Sequence, residues 1–225
     1  MNQTADYIQQ YMRPEPIRAE RAALVLIDMQ FATGSRRGAL ARKHLQTPEG
    51  NPDLAYRFDR IETVVVPHQQ QLMAAFRKAG GRVVHVRIGP QRRDAADAPA
   101  HMRPLFLATE NWVGSPDHEP LPELAPEADD ILLRKTTIGA FASTGIDSLL
   151  RGMGIDHLAI TGISTNMCVE STAREAADRG YRVTLVEDAC ATTHRDLHDS
   201  TMRNFARLFG RVRMTADVLA EVQAG

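Results

Sequence analysis

The chain holds 225 residues, enough for one α/β domain with a full hydrophobic core and short for two. Its 27 Lys and Arg against 28 Asp and Glu leave a formal net charge of -1, which argues against nucleic acid or an anionic membrane as partner and favours small-molecule chemistry. Only Cys168 and Cys190 are present, which excludes a disulfide framework and predicts a reducing, cytoplasmic setting. No stretch approaches the roughly 18 apolar residues of a membrane span. The opening Met1-Asn2-Gln3-Thr4-Ala5-Asp6-Tyr7 has neither a basic nor an apolar leader segment, so neither export nor membrane insertion is expected.

In chain order, residues 22–27 form a continuous apolar run that ends at Asp28 and predicts a strand covered on both faces. An irregular stretch rich in Pro, Gly, Arg and Asp follows at 31–60, then a helix at 67–79 closed by Gly80-Gly81, then a strand at 82–86. A second irregular stretch at 89–126 is long enough to be a lid or binding loop rather than filler. Strand 130–133 precedes Lys135, and Thr144 is the expected N-cap of a helix at 145–153. Strand 158–160, helix 167–179 with Gly180, strand 182–186, helix 196–208 with Gly210 and a final short strand at 211–214 complete the pattern. This alternation predicts one domain over residues 1–225: a three-layer α-β-α, Rossmann-like fold on a mostly parallel, doubly wound sheet. In such sheets ligands bind beyond the carboxyl ends of the strands.

Cys168 sits where the strand ending at Ile160 hands over to the helix beginning near Met167. A thiol in a helix's first turn feels the positive end of the dipole, which predicts a lowered pKa and a reactive thiolate. Asp28 and Lys135 end two other strands, and the crevice of a doubly wound sheet would bring all three together. Their chemistry is coherent: Asp28 takes the thiol proton, Lys135 keeps Asp28 ionised, and the thiolate attacks a carbonyl carbon. The resulting oxyanion needs preorganised donors, which the free N–H groups of the turn from Ser164 to Cys168 can supply. Gln30, Trp112, Phe141, Thr165 and Asn166 are candidate substrate contacts. Cys190 is expected to pack and Asp188 to cap a turn. His194 and His198, at i and i+4, lack a third ligand nearby and are expected to form a solvated helix start rather than a metal pair. Arg87, Arg92, Arg93 and Arg103 cluster where one could clamp a substrate carboxylate.

These residues carry a resemblance. The segments Ala22-Ala23-Leu24-Val25-Leu26-Ile27-Asp28-Met29-Gln30, Arg134-Lys135-Thr136-Thr137-Ile138-Gly139-Ala140-Phe141, Gly162-Ile163-Ser164-Thr165-Asn166-Met167-Cys168-Val169 and Val186-Glu187-Asp188-Ala189, in this order, make the chain similar to the isochorismatase-like cysteine hydrolases. The resemblance implies a six-stranded parallel sheet and an Asp-Lys-Cys triad at Asp28, Lys135 and Cys168. It also implies hydrolysis of a C–N bond through a thioester, no cofactor, and assembly into homodimers or homotetramers. A cis peptide between Ile163 and Ser164 and an oxyanion hole made by the N–H groups of Ser164 and Cys168 belong to the same pattern.

Departures within the family narrow the substrate. Nicotinamidase-like members carry an Asp-x-His metal motif after the second strand, where this chain has Val86-Arg87-Ile88-Gly89-Pro90, so no metal is expected. Isochorismatases proper lack the nucleophilic cysteine. The stretches Arg174-Glu175-Ala176-Ala177-Asp178-Arg179-Gly180-Tyr181 and Glu187-Asp188-Ala189-Cys190 resemble the branch acting on ureido and biuret-type amides. The expected substrate is therefore a small amide or ureido compound. The alternatives are a nicotinamidase-type or isochorismatase-type hydrolase, or a non-catalytic binding scaffold on the same fold. A dinucleotide oxidoreductase would need a Gly-x-Gly-x-x-Gly turn after a strand, and the first strand runs instead into Asp28-Met29-Gln30-Phe31.

Overall fold

The computed structural model describes residues 7–45 and 50–224. The leader reading falls on residues 1–6, and residues 46–49 belong to the first irregular stretch; both lie outside the described residues. Six strands form one sheet among the described residues: β1 (Ala22–Ile27), β2 (Arg82–Ile88), β3 (Ile131–Lys135), β4 (His157–Ile163), β5 (Arg182–Ala191) and β6 (Arg211–Arg213). Their order is β3-β2-β1-β4-β5-β6 and every pairing is parallel. Winding runs outward from β1 to β3, then restarts on the other side of β1 with β4. The switch point therefore lies between the tips of β1 and β4, where open α/β sheets hold their ligands.

The helices are α1 (Phe31–Gly34), α2 (Ala39–His44), α3 (Pro52–Arg60), α4 (Val66–Lys78), α5 (Arg103–Ala108), α6 (Ile146–Gly152), α7 (Glu170–Asp178), α8 (Arg195–Leu208) and α9 (Thr215–Ala224). β1 is buried at every position, and its side chains alternate between two cores. Leu24 and Leu26 pack with Phe58 of α3, Leu72 and Phe76 of α4 and Val218 of α9. Ala23, Val25 and Ile27 pack with Leu150 of α6, Ala173 of α7 and Phe205 of α8. Each large apolar side chain buried in this way contributes roughly 1.5–3 kcal/mol. The three-layer reading of the sequence stands.

The largest departure from the sequence reading is α3, which occupies the second half of the stretch at 31–60. Asn51 caps it by accepting a 3.0 Å hydrogen bond from the Leu54 N–H, and Pro52 opens its first turn. A π-helical turn at Ile61–Val65 then joins α3 to α4 in one rod. Pro67 lacks an N–H, and the wider turn ahead of it lets the rod pass through a residue that otherwise ends a helix. Pro67 therefore lies inside a helical rod, not at its start. The strands also run longer than their apolar cores suggest, so that Lys135 is the last residue of β3 and Cys190 lies within β5. Helix α6 starts at Ile146 with Gly145 as N-cap, although the Thr144 hydroxyl still accepts from the Ile146 N–H at 3.1 Å.

Candidate active site

Asp28 leaves β1 with φ of 54°, a left-handed conformation that aspartate tolerates better than most residues. Its N–H is fixed to the Val86 carbonyl at 2.8 Å, which anchors the turn to β2. Opposite it, Gly162 in β4 has φ of 119°, and a Cβ there would stand 2.2 Å from the Ile27 carbonyl oxygen. Only glycine lets β4 approach the end of β1 this closely. The Ile163–Ser164 peptide is cis, and a π-helical turn at Thr165–Val169 leads into α7. Cys168 lies in that turn, half-buried where the central core meets a small apolar cluster built on Ile88 and Phe106.

Lys135, at the tip of β3, is 0 % exposed, and its Nζ stands 3.0 Å from Asp28 Oδ2. The ammonium donates to the carbonyls of Thr137 at 3.1 Å and Ile138 at 2.8 Å. Oδ2 thus sits in an ion pair, and the Cys168 thiol and the Lys135 ammonium both hydrogen-bond the carboxylate.

Burial raises the Asp28 carboxyl above the usual carboxylate range, against the pull of Lys135 and Cys168. Burial also opposes the charge on Lys135, yet Asp28 and Cys168 hold its ammonium above the ordinary value. The Cys168 thiol is pushed up to about 12, first by burial and then by the Asp28 charge. This corrects the expectation of a thiolate poised by the helix dipole. Desolvation and a neighbouring carboxylate outweigh a partial helix charge, so the resting group is a thiol beside a carboxylate.

Asp28, Cys168, Ser164 and Ile163 line a pocket of about 120 Å³, which limits its occupant to a small molecule. Met102, Leu105 and Phe106 of the 89–126 stretch also line it. Arg57 of α3 also lines it, 5 % exposed, with Nη1 donating to Ser164 Oγ at 2.6 Å. Sequence reasoning missed this residue. Its helix was hidden in a segment judged irregular.

Comparison with known proteins agrees with this geometry. An isochorismatase domain matches residues 22–217. The chain belongs to the isochorismatase family. A ureidoacrylate amidohydrolase of Caulobacter vibrioides is 31% identical over 227 residues, covering 91% of this chain and 93% of its own. One from Pantoea ananatis is 34% identical over 185 residues, covering 79% and 72%. Among solved structures, a cysteine hydrolase from Pseudomonas syringae pv. phaseolicola superposes with a TM-score of 0.78 at 27% identity, covering 93% of this chain and 96% of that one. An N-carbamoylsarcosine amidase from Thermoplasma acidophilum reaches a TM-score of 0.63 at 25% identity, covering 87% and 96%.

In this isochorismatase-family chain the five candidate substrate contacts lie away from the pocket wall. Gln30 is fully buried and clasps Ile88, accepting from its N–H at 2.7 Å and donating to its carbonyl at 3.1 Å. It also donates to Asn111 Oδ1 at 3.1 Å, and Asn111 does line the pocket. Trp112 sits in the 89–126 stretch, its backbone N–H bonded to the Glu110 carbonyl. Phe141 packs on Tyr181 with ring centroids 5.8 Å apart in the α6–α8 core. Thr165 pairs with the His198 ring at 3.0 Å, and Asn166 accepts from Thr192 at 2.7 Å. The side chains of Gln30, Phe141, Thr165 and Asn166 are spent on structure.

His198 is buried rather than solvated, because α8 lays it against the π-helical turn; His194 is exposed beside Asp53. No cluster of three or more metal-ligating His, Cys, Asp or Glu occurs among the described residues. Asp188 accepts from the Thr215 N–H at 2.8 Å and so caps α9. Cys190 is fully buried in the core and does not line the pocket. Arg87 pairs with Glu119, Arg92 with Asp94, and Arg103 donates to the carbonyls of Ala96 and Ala98, all outside the pocket wall. Arg93 is exposed. No helix of the described residues is long and apolar enough to cross a membrane.

Proposed function

We propose that this chain is a cysteine-dependent amidohydrolase that cleaves the C–N bond of a small amide or ureido compound through a thioester. The observation that carries this reading is the placement of Asp28. It is a buried carboxylate held by the Lys135 ammonium at 3.0 Å and hydrogen-bonded to the Cys168 thiol in one pocket. The relatives named ureidoacrylate amidohydrolase and N-carbamoylsarcosine amidase favour a ureido substrate over nicotinamide.

In the proposed cycle Asp28 takes the thiol proton and the sulfur attacks the substrate carbonyl carbon. Backbone N–H groups of Ser164 and Cys168 hold the oxygen that gains the charge. Asp28 then passes its proton to the leaving nitrogen, the C–N bond breaks, and ammonia or an amine departs. The acyl group remains on sulfur. Water gives a proton to Asp28 and attacks the acyl carbon, the C–S bond breaks, and the proton returns to sulfur. A carboxyl raised by burial is a stronger base than an exposed aspartate, which suits both proton transfers. The Lys135 ammonium offsets the negative charge that moves between carboxylate and sulfur.

Ammonia release measured across ureas, biuret-like compounds, N-carbamoyl acids and nicotinamide tests the reading. Turnover confined to the ureido and amide members is expected. Silence across the panel would overturn it.

A further inference from the structure

The pocket holds a cation that the proposed cycle does not use. Arg57 is 5 % exposed and lines the same cavity as Cys168. Among the described residues its hydrogen-bond partners are neutral: Ser164 Oγ at 2.6 Å and the Thr33 carbonyl at 3.2 Å. Its Nε has no partner at all. The carboxylate of Asp28 is already committed to Lys135 at 3.0 Å, so these two charges offset each other and the guanidinium charge stays uncompensated. Burial lowers the Arg57 pKa to about 10, against the pull of Cys168 and Asp28, so the group stays charged at neutral pH.

A buried guanidinium without an anion costs several kcal/mol of desolvation. It is favourable when a ligand brings the missing charge, and a carboxylate fits the planar N–H fork side-on. The remaining pocket wall is dominated by apolar side chains, including Ile88, Leu105, Phe106 and Ile138. Such a wall accepts a short hydrocarbon spacer. Ser164 fixes the length of that spacer, because its hydroxyl meets Arg57 while its backbone begins the turn that carries Cys168.

We propose that Arg57 binds a carboxylate of the substrate, so that the preferred substrates are ureido or amide acids whose carboxylate lies a short apolar spacer from the cleaved bond. This rests on the amidohydrolase reading above. It also assigns the carboxylate clamp to α3 rather than to the arginines of the second long loop.

The test compares 3-ureidoacrylate with prop-1-enylurea, in which a methyl group replaces the carboxylate, by ammonia release from wild type, Arg57→Met, Arg57→Lys and Ser164→Ala. Wild type is expected to prefer the acid by about 100-fold in kcat/KM, mostly through KM, as for loss of one charged, bidentate contact. Arg57→Met should bring the preference close to one, and Arg57→Lys should restore part of it. Ser164→Ala removes the hydroxyl that positions the guanidinium and should weaken the preference, though less than Arg57→Met does. A wild-type enzyme indifferent to the carboxylate would overturn the proposal without any variant. So would an Arg57→Met protein that keeps the full preference, or one that loses both substrates equally. Silence of the wild type on both compounds and on the wider panel would instead remove the amidohydrolase reading, and this proposal with it.

Discussion

Lys135 Nζ meets Asp28 Oδ2 at 3.0 Å across two strand tips, with the lysine wholly enclosed and the carboxylate 5 % exposed. A charge this deep is costly without its partner, because removing one leaves the other unsolvated. Lys135→Met should therefore lower the unfolding free energy by about 3–5 kcal/mol and leave Asp28 protonated and inactive as a base. Denaturant titration beside a turnover assay checks both effects. Adding Asp28→Asn should recover part of the stability and none of the activity.

Asp28, Lys135 and Cys168 were legible in sequence for different reasons from those that hid Arg57. An unbroken apolar run ending in Asp28, a second ending in Lys135, and a cysteine at a helix start each leave a local mark. Helix α3 leaves a weak one. Its Pro-Asp-Leu-Ala-Tyr-Arg-Phe-Asp-Arg sequence has few apolar positions, and Pro67 reads as a helix start although a π-helical turn carries the rod through it. The buried roles of Gln30, Thr165 and Phe141 depend on partners 58, 33 and 40 residues away along the chain, at Ile88, His198 and Tyr181, which no local pattern announces. The thiol's elevated pKa is likewise a tertiary effect. It comes from burial and from a carboxylate 140 positions distant.

That elevated thiol makes the resting enzyme slow to alkylate at neutral pH. With the group held near 12, the iodoacetamide rate at Cys168 should rise about tenfold per pH unit from 7 to 10 without levelling off. Peptide mass mapping follows it site by site. A plateau below pH 8 would mean that the helix dipole wins after all.

Gly162→Ala should be severe. The new Cβ would meet the Ile27 carbonyl oxygen at 2.2 Å in a backbone conformation of φ 119° that alanine disfavours. A loss of roughly 2–4 kcal/mol is expected, with activity falling further because the tips of β1 and β4 must separate. Thermal and chemical unfolding measure the first effect, and kcat the second.

His118 makes the stability of the second long stretch depend on pH. Its ring, 1 % exposed, lies 3.0 Å from Gln30 Nε2 and 2.9 Å from Asn111 Oδ1, and burial, helped by Arg87 and Arg134, lowers its pKa to about 4. The unfolded ring binds a proton below about 6.5 while the folded one does not, so the unfolded state carries the extra proton and stability falls as the pH drops from about 6.5 to 4. His118→Gln should flatten the slope in that window by about one proton, or about 1.4 kcal/mol per pH unit. Unfolding titrations at stepped pH, wild type against variant, read it directly.

The central claim is that Cys168 forms the covalent intermediate, and the most direct test is turnover of Cys168→Ala beside Cys190→Ala on a substrate the wild type cleaves. Cys190 is fully buried away from the pocket, so its variant reports what losing a thiol does to the fold alone. The account predicts a folded Cys168→Ala protein with its turnover reduced at least about 10⁴-fold and a Cys190→Ala protein that still turns over. A Cys168→Ala protein that keeps most of its activity would contradict it.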